Sequence, residues 1–171
     1  MGQFRKDIIR VGVVSDSHLR DTADSILLLE GLIESYLQPI DVLLHAGDLI
    51  APGLLDHFEG FPVYAVRGNM DPATTDLPYK RIVQIGPVRI GLIHGWGPAC
   101  GLEQAVLNEF SDNRLDCLVY GHTHRPVCHH KGGLLFFNPG SPTDKRGMKY
   151  HTVGLLEIAG TEIRGKIIQI D

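Results

Sequence analysis

The stretch Ile8-Ile9-Arg10-Val11-Gly12-Val13-Val14-Ser15-Asp16-Ser17-His18 decides how this chain is read. Ile8 to Ser15 is β-branched and apolar in the manner of a buried strand. A carboxylate and an imidazole follow it directly. The pattern recurs: Asp41-Val42-Leu43-Leu44 runs into His45-Ala46-Gly47-Asp48, and Val63 to Val66 runs into Arg67-Gly68-Asn69-Met70-Asp71. Between the first two strands, Ile26, Leu27, Leu29, Leu32, Ile33 and Leu37 recur at three- and four-residue spacing. That spacing predicts a helix over Asp21 to Gln38, capped by Asp21 or Thr22 and stopped by Pro39. Pro52 to Phe58 predicts a short helix with proline near its first turn. The first half is therefore β-α-β-α-β, an α/β pattern that favours a parallel sheet with right-handed crossovers. In such sheets ligands gather beyond the carboxyl ends of the strands.

The second half changes character. Arg81 to Ile85 and Val88 to Ile93 flank Gly86-Pro87 as a hairpin, and its second strand ends in His94-Gly95. Leu102 to Phe110 is helical. Cys117 to Tyr120 is a strand leading into Gly121-His122-Thr123-His124-Arg125-Pro126. On a regular strand the two imidazoles would point to opposite faces; a turn lets both face one place and serve different ions. Leu134 to Phe137 runs into Asn138-Pro139-Gly140-Ser141, and Val153 to Ile158 with Ile163 to Ile170 forms a last hairpin around Gly160-Thr161. Nothing resembles a linker or a repeat, so residues 1–171 read as one domain.

Composition narrows the function classes. A chain of 171 residues that is 43% hydrophobic is long enough to bury a substantial core. The net charge of -4, from 16 basic and 20 acidic residues, argues against a general nucleic-acid binder, which needs a basic face. Cys100, Cys117 and Cys128 are odd in number and show no CxxC spacing, which excludes a zinc ribbon and fits a reducing cytoplasm. No signal peptide or membrane span is expected. Gly2 is no myristoylation site, because Lys6 stands where Ser or Thr is needed.

Asp16, His18, Asp48, Asn69, His94, His122 and His124 all fall at or just beyond strand ends. Carboxylate, imidazole and amide oxygen suit divalent ions of intermediate hardness: manganese, iron, zinc, nickel or cobalt. Seven ligands exceed the needs of one tetrahedral site. They suit two ions sharing a carboxylate, a pair that at roughly 3.5–4 Å separation can polarise a phosphoryl oxygen and hold a hydroxide for in-line attack. No nucleophilic Ser or Cys motif is present, and such chemistry requires none.

Asp16-Ser17-His18, Gly47-Asp48, Gly68-Asn69, His94-Gly95 and Gly121-His122-Thr123-His124 resemble, in order, the five signature blocks of the calcineurin-like metallophosphoesterase superfamily. The chain's short length and Asn138-Pro139-Gly140-Ser141 resemble the small single-domain prokaryotic phosphodiesterases, to which the metal-free retromer scaffold subunit is related. The resemblance implies a four-layer αββα sandwich of two mixed sheets flanked by helices. It implies one ion on Asp16, His18, Asp48 and His124 and a second on Asp48, Asn69, His94 and His122, with Asp48 bridging. Manganese is the first candidate for both ions. Asp48, Asn69, His122 and His124 would carry catalysis, and a metal-bridging hydroxide would attack a phosphodiester. The expected partner is a small phosphate ester, with no membrane and no nucleic acid beyond small nucleotides; a homo-oligomer is compatible. Alternatives of the same fold are a non-catalytic interaction scaffold, a phosphomonoesterase and a nuclease; the last is disfavoured because little chain lies beyond the catalytic core to hold a duplex. One departure stands out. Many members carry His directly after the Asn, paired with an acid and directed at the leaving group. Here that place is Met70, which cannot donate a proton, and Asp71 remains without the imidazole.

Other polar residues carry weaker expectations. His45 is either a second layer behind Asp48 or a plain strand residue. His57 is expected to be solvated, His129 and His130 to lie in a surface turn, with substrate contact as the less favoured alternative, and His151 to be structural. Arg67 and Arg125 either face the substrate phosphate or sit on the surface, and Lys145 and Arg146 form a basic rim or a solvated loop. Asn138 and Ser141 are expected to buttress the site through backbone bonds. Phe136 and Phe137 read as core and subunit packing, and the Leu-rich first helix as core.

Overall fold

A computed structural model describes residues 8–170; the Gly2 and Lys6 reading lies outside them. The first sheet has the order β10-β9-β1-β2-β3. Its strands β1 (Ile9–Val14), β2 (Val42–His45) and β3 (Val63–Ala65) run parallel. The closing hairpin, β9 (Thr152–Ala159) and β10 (Glu162–Gln169), joins the free edge of β1 antiparallel. The parallel sheet read from the first half is therefore completed as a mixed one. The second sheet has the order β4-β5-β6-β8-β7, built from β4 (Lys80–Ile85), β5 (Val88–Ile93), β6 (Cys117–Val119), β7 (Val127–Lys131) and β8 (Leu134–Asn138).

Continuous apolar strands make sense because both faces of each sheet are covered. Val11, Val13 and Leu44 of the first sheet meet Ile90, Leu92, Val119 and Phe137 of the second in the central core. Leu43 and Val14 face the other way, onto Ile33 and Leu37. Leu118 and Phe136 face Leu102, Val106 and Phe110 on and beside α2 (Leu102–Asn108). The result is the four-layer mixed α/β sandwich, with helices outside two five-stranded sheets.

Several local expectations change. The first helix is α1 (Ala23–Leu32), capped by the Thr22 hydroxyl accepting from Ser25 N, and it continues as a π-helical turn over Ile33–Leu37. Only part of its apolar set is core: Leu29, Ile33 and Leu37 are buried, whereas Leu27 and Leu28 are 65% and 43% exposed. Pro52–His57 is a 3-10 turn. His129 and His130 lie on β7, an edge strand, and not in a turn. Its polar sequence hid it, since edge strands favour charged and polar residues over alternating apolar ones. Phe136 and Phe137 are both buried within the chain.

Candidate metal centre

The loops that carry the candidate ligands leave the sheet ends and stay tied side by side. Beyond β1 and β2 the parallel pairing continues irregularly, with Asp16 N donating to Gly47 O, His18 N to Asp48 O and Leu19 N to Leu49 O, each at 3.0 Å. Gly121 N donates to His94 O at 3.0 Å in the second sheet. The two sheets are joined where His122 N donates to Asp16 Oδ2, 3.0 Å. All seven sequence-predicted residues are thereby drawn to one end of the sandwich.

The loops hold unusual backbone. Asp16, His18, Asp48, His122 and His124 all have positive φ, from 48° to 70°. Non-glycine residues rarely adopt that region, and where they do the surroundings must enforce it. This left-handed kink is what turns His122 and His124 toward one centre. Two glycines make room for it. A Cβ on Gly121 would lie 1.9 Å from Ser15 Oγ, and one on Gly68 would lie 2.2 Å from Asp48 Oδ1.

Asp16, Asp48, His94, His122 and His124 each show one atom to the centre and commit the other elsewhere. Asp16 Oδ2 accepts from Ser15 Oγ (2.7 Å) as well as from His122 N. Its Oδ1 is buried, has no hydrogen-bond partner, and lies 3.2 Å from His124 Nε2 and 3.8 Å from His94 Nε2. Asp48 Oδ1 accepts from Met70 N (2.7 Å), leaving Oδ2 3.4 Å from His94 Nε2 and 3.9 Å from His18 Nε2. His94 Nδ1 donates to Ala46 O (2.7 Å) and His124 Nδ1 donates to Asp144 O, so in both the lone pair is on Nε2. His122 is reversed: Nε2 donates to Gly97 O (2.9 Å) and Nδ1 lies 3.1 Å from Asn69 Oδ1. Asn69 Oδ1 also lies 3.1 Å from His94 Nε2.

Burial and charge oppose one another here. Burial alone would raise the carboxyl of Asp16, but the His124 and His94 imidazoles and the Ser15 hydroxyl outweigh it and hold it below its ordinary value. Asp48 is held down likewise against its own burial, chiefly by His94. Burial would lower His94 and His124, yet Asp48 and Asp16 raise the first and Asp16 the second.

These atoms suit divalent cations. A buried carboxylate oxygen without a donor is costly unless a charge compensates it. The Nε2 atoms of His18 and His124 lie 3.2 Å apart. Among the described residues, two groups bring ligand atoms within 4.8 Å of one another: Asp16, His18 and His124, and Asp16, Asp48 and His94. Asp16 thus takes part in both groups, where the family resemblance implies a place beside one ion only.

The residues beyond the ligands clarify open readings. Asp71 does not await an imidazole. It accepts from Asp48 N (2.9 Å), Gly68 N (2.7 Å) and Ile50 N (2.7 Å), pinning the Asp48 loop to the Asn69 loop. His45 is fully buried behind the centre, its Nδ1 accepting from Gly47 N (3.2 Å) and its Nε2 beside Ser17 Oγ (3.0 Å). Its burial lowers its pKa to about 4, against the opposing charges of Asp71 and Asp16. Asn138 donates to Gly121 O (2.9 Å) and Ser141 Oγ to Asp16 O (2.7 Å), the expected buttressing. Arg146 reaches the site, donating to His122 O at 3.3 Å, while Arg67 turns to Ala73 O. Arg125 lines a cavity of about 310 Å³ with Thr123, Tyr120 and Glu103. Ser15, Ser17, Thr143 and Asp144 escaped notice in the sequence. Only Ser15 and Ser17, adjacent to Asp16, carried any local signal.

Known proteins share this architecture. The chain is 35% identical over 161 residues, 93% of its length and 91% of the relative's, to a probable metallophosphoesterase of Methanothermobacter thermautotrophicus. It is 33% identical over 105 residues, 56% of this chain and 52% of the relative, to the phosphodiesterase YfcE of Escherichia coli. Among solved structures, Vacuolar Protein Sorting 29 from Cryptosporidium parvum superposes with a TM-score of 0.74 at 25% identity, covering 96% of this chain and 92% of that one. Residues 9–161 match the model of the calcineurin-like phosphoesterase superfamily domain. With candidate ligands at the strand ends, two mixed sheets and these relatives, the chain belongs to the calcineurin-like phosphoesterase superfamily.

Proposed function

We propose that the chain is a phosphodiesterase that works with two divalent ions, one held by Asp16, His18, Asp48 and His124 and the other by Asp48, Asn69, His94 and His122. The observation that carries this reading is Asp48 Oδ2, which lies between the imidazoles of His18 and His94 while Oδ1 is spent on a backbone amide. When bound, the ions supply Lewis acidity at the phosphoryl oxygens and an activated water for in-line attack. The protein's part is to fix the ligands before substrate arrives. Asp71 sets the Asp48 loop, and backbone carbonyls set the tautomers of His94, His122 and His124. Arg146, held at the His122 carbonyl, places a cation beside the expected phosphate. The mixed carboxylate, imidazole and amide donors suit manganese first, with nickel, iron, zinc and cobalt as rivals.

The test is to load the purified chain with each metal in turn, measure bound ions, and assay bis(4-nitrophenyl) phosphate against 4-nitrophenyl phosphate. Two ions per chain and faster diester turnover are expected. Fewer than one ion per chain after manganese loading, with no turnover, would instead favour an interaction scaffold. The exposed Leu27 and Leu28 of α1 are the feature such a scaffold would use.

A further inference from the structure

Three of the exposed large hydrophobic residues fall in the segments that follow Asn69 and His94, apart from Ile8, Leu27, Leu28 and Tyr36. Met70, Tyr79 and Trp96 are 53%, 43% and 40% exposed, and all belong to segments that leave the Asn69 and His94 loops. Met70 follows Asn69 directly, and its amide is tied to Asp48 Oδ1. Trp96 lies two residues after His94, between Gly95 and Gly97, both with positive φ (99° and 75°). The next carbonyl along, Gly97 O, accepts from His122 Nε2. The indole is thereby presented on a short glycine-flanked arch anchored to a candidate ligand. Tyr79 packs against it, ring centroids 6.0 Å apart at 37°.

Aromatic faces left to solvent beside a polar centre offer stacking to a flat ring. We propose that Trp96 and Tyr79, with Met70 as a deformable neighbour, form a platform that seats a flat aromatic substituent of the phosphate ester handled at the adjacent centre. The inference rests on the phosphodiesterase reading for its substrate and on the geometry of the arch for its place. Met70 suits such a surface, because its thioether side chain adapts to rings of different outline. The shared chemistry is a planar ring attached to phosphate, whether a nucleobase or a simple aryl group.

Trp96 is the chain's single tryptophan, so its fluorescence reports the platform directly. The manganese-loaded protein is titrated with adenosine monophosphate, phenyl phosphate and ethyl phosphate. The two aromatic esters are expected to quench Trp96 saturably and ethyl phosphate is not; the tighter of the two separates nucleobase from aryl preference. Tyr79→Ala should weaken the aromatic titrations. Trp96→Ala should raise KM for bis(4-nitrophenyl) phosphate about tenfold, as expected for loss of one stacked ring, with the loss carried by KM rather than kcat. Trp96→Phe should restore most of it. Equal responses to all three esters, or an unchanged KM in Trp96→Ala while the diester still turns over, overturns the platform and leaves the phosphodiesterase reading standing. Saturable aromatic quenching with no diester turned over under any metal sinks the phosphodiesterase reading and keeps the platform. A change from dimer to monomer in Trp96→Ala with KM unaffected identifies the patch as an interface between copies, and also overturns the inference.

Discussion

The two sides of the centre differ in how tightly the fold grips them. Around Asp16, His18 and His124, Ser15, Ser141, Thr143 and Asp144 tie the loops from behind, and Asp16 and His124 are almost fully buried. Around Asn69, His94 and His122 only His94 is buried; Asn69 is exposed and its amide oxygen is shared between two imidazoles. The neighbours there are the exposed Met70 and Trp96. One side is a fixed floor and the other an open mouth. On the function proposed above, the open Asn69 side is where a substrate would enter, and the Asp16 side is the better supported of the two.

Asp48→Ala would erase the contrast, because that carboxylate faces both sides. If Asp48 is the shared ligand proposed above, its removal should forfeit several kcal/mol of transition-state stabilisation, about a thousandfold in kcat/KM. Elemental analysis should show both ions weakened, and undiminished activity at full occupancy would refute the bridging role.

The floor can be tested through pH. His45 has a folded pKa of about 4, below its ordinary 6.5, so the folded protein prefers it neutral. Its contribution is complete above pH 6.5 and declines as the pH falls toward 4, because the unfolded chain takes up the proton first. The decline amounts to about 3 kcal/mol. Chelator-treated His45→Asn should therefore lose less stability than the wild type between pH 6.5 and 4 in denaturant titrations. Parallel curves for the two proteins would contradict the buried neutral imidazole.

Asp71→Ala loosens the mouth by freeing three backbone amides at once. A loss of about 10–100-fold in metal affinity is expected, measured by competition with a chelating dye. Met70→His should give the smallest effect. A positioned general acid contributes about 100-fold or more, but Asp71 is already committed to Asp48, Gly68 and Ile50 and cannot orient a new imidazole. The ratio of monoester to diester rates should shift by about tenfold or less. Identical ratios before and after would show that this position does not touch selectivity.

Much of the floor and the strand layout was legible in the chain itself. The apolar runs ending in Asp16, Asp48 and His94 mark strand ends, because a strand buried on both faces needs continuous apolar residues. The edge strand β7 was not legible, since an edge has no such requirement and Val127 to Lys131 are mostly polar. Nor was the exposure of Leu27, which helical spacing alone assigns to the core.

By itself the sequence determined which donor groups stand at the strand ends. Asp, Asn and His at successive strand ends are a local pattern, and their donor types already imply divalent ions. Only the tertiary structure decided which atom of each residue turns inward. Ala46, Asp144 and Gly97 supply the carbonyls that choose between the two nitrogens of His94, His124 and His122. Asp71 and Met70 choose how the Asp48 loop and carboxylate sit. Those partners are distant in the chain and meet only when the two sheets pack, so no local spacing could announce them.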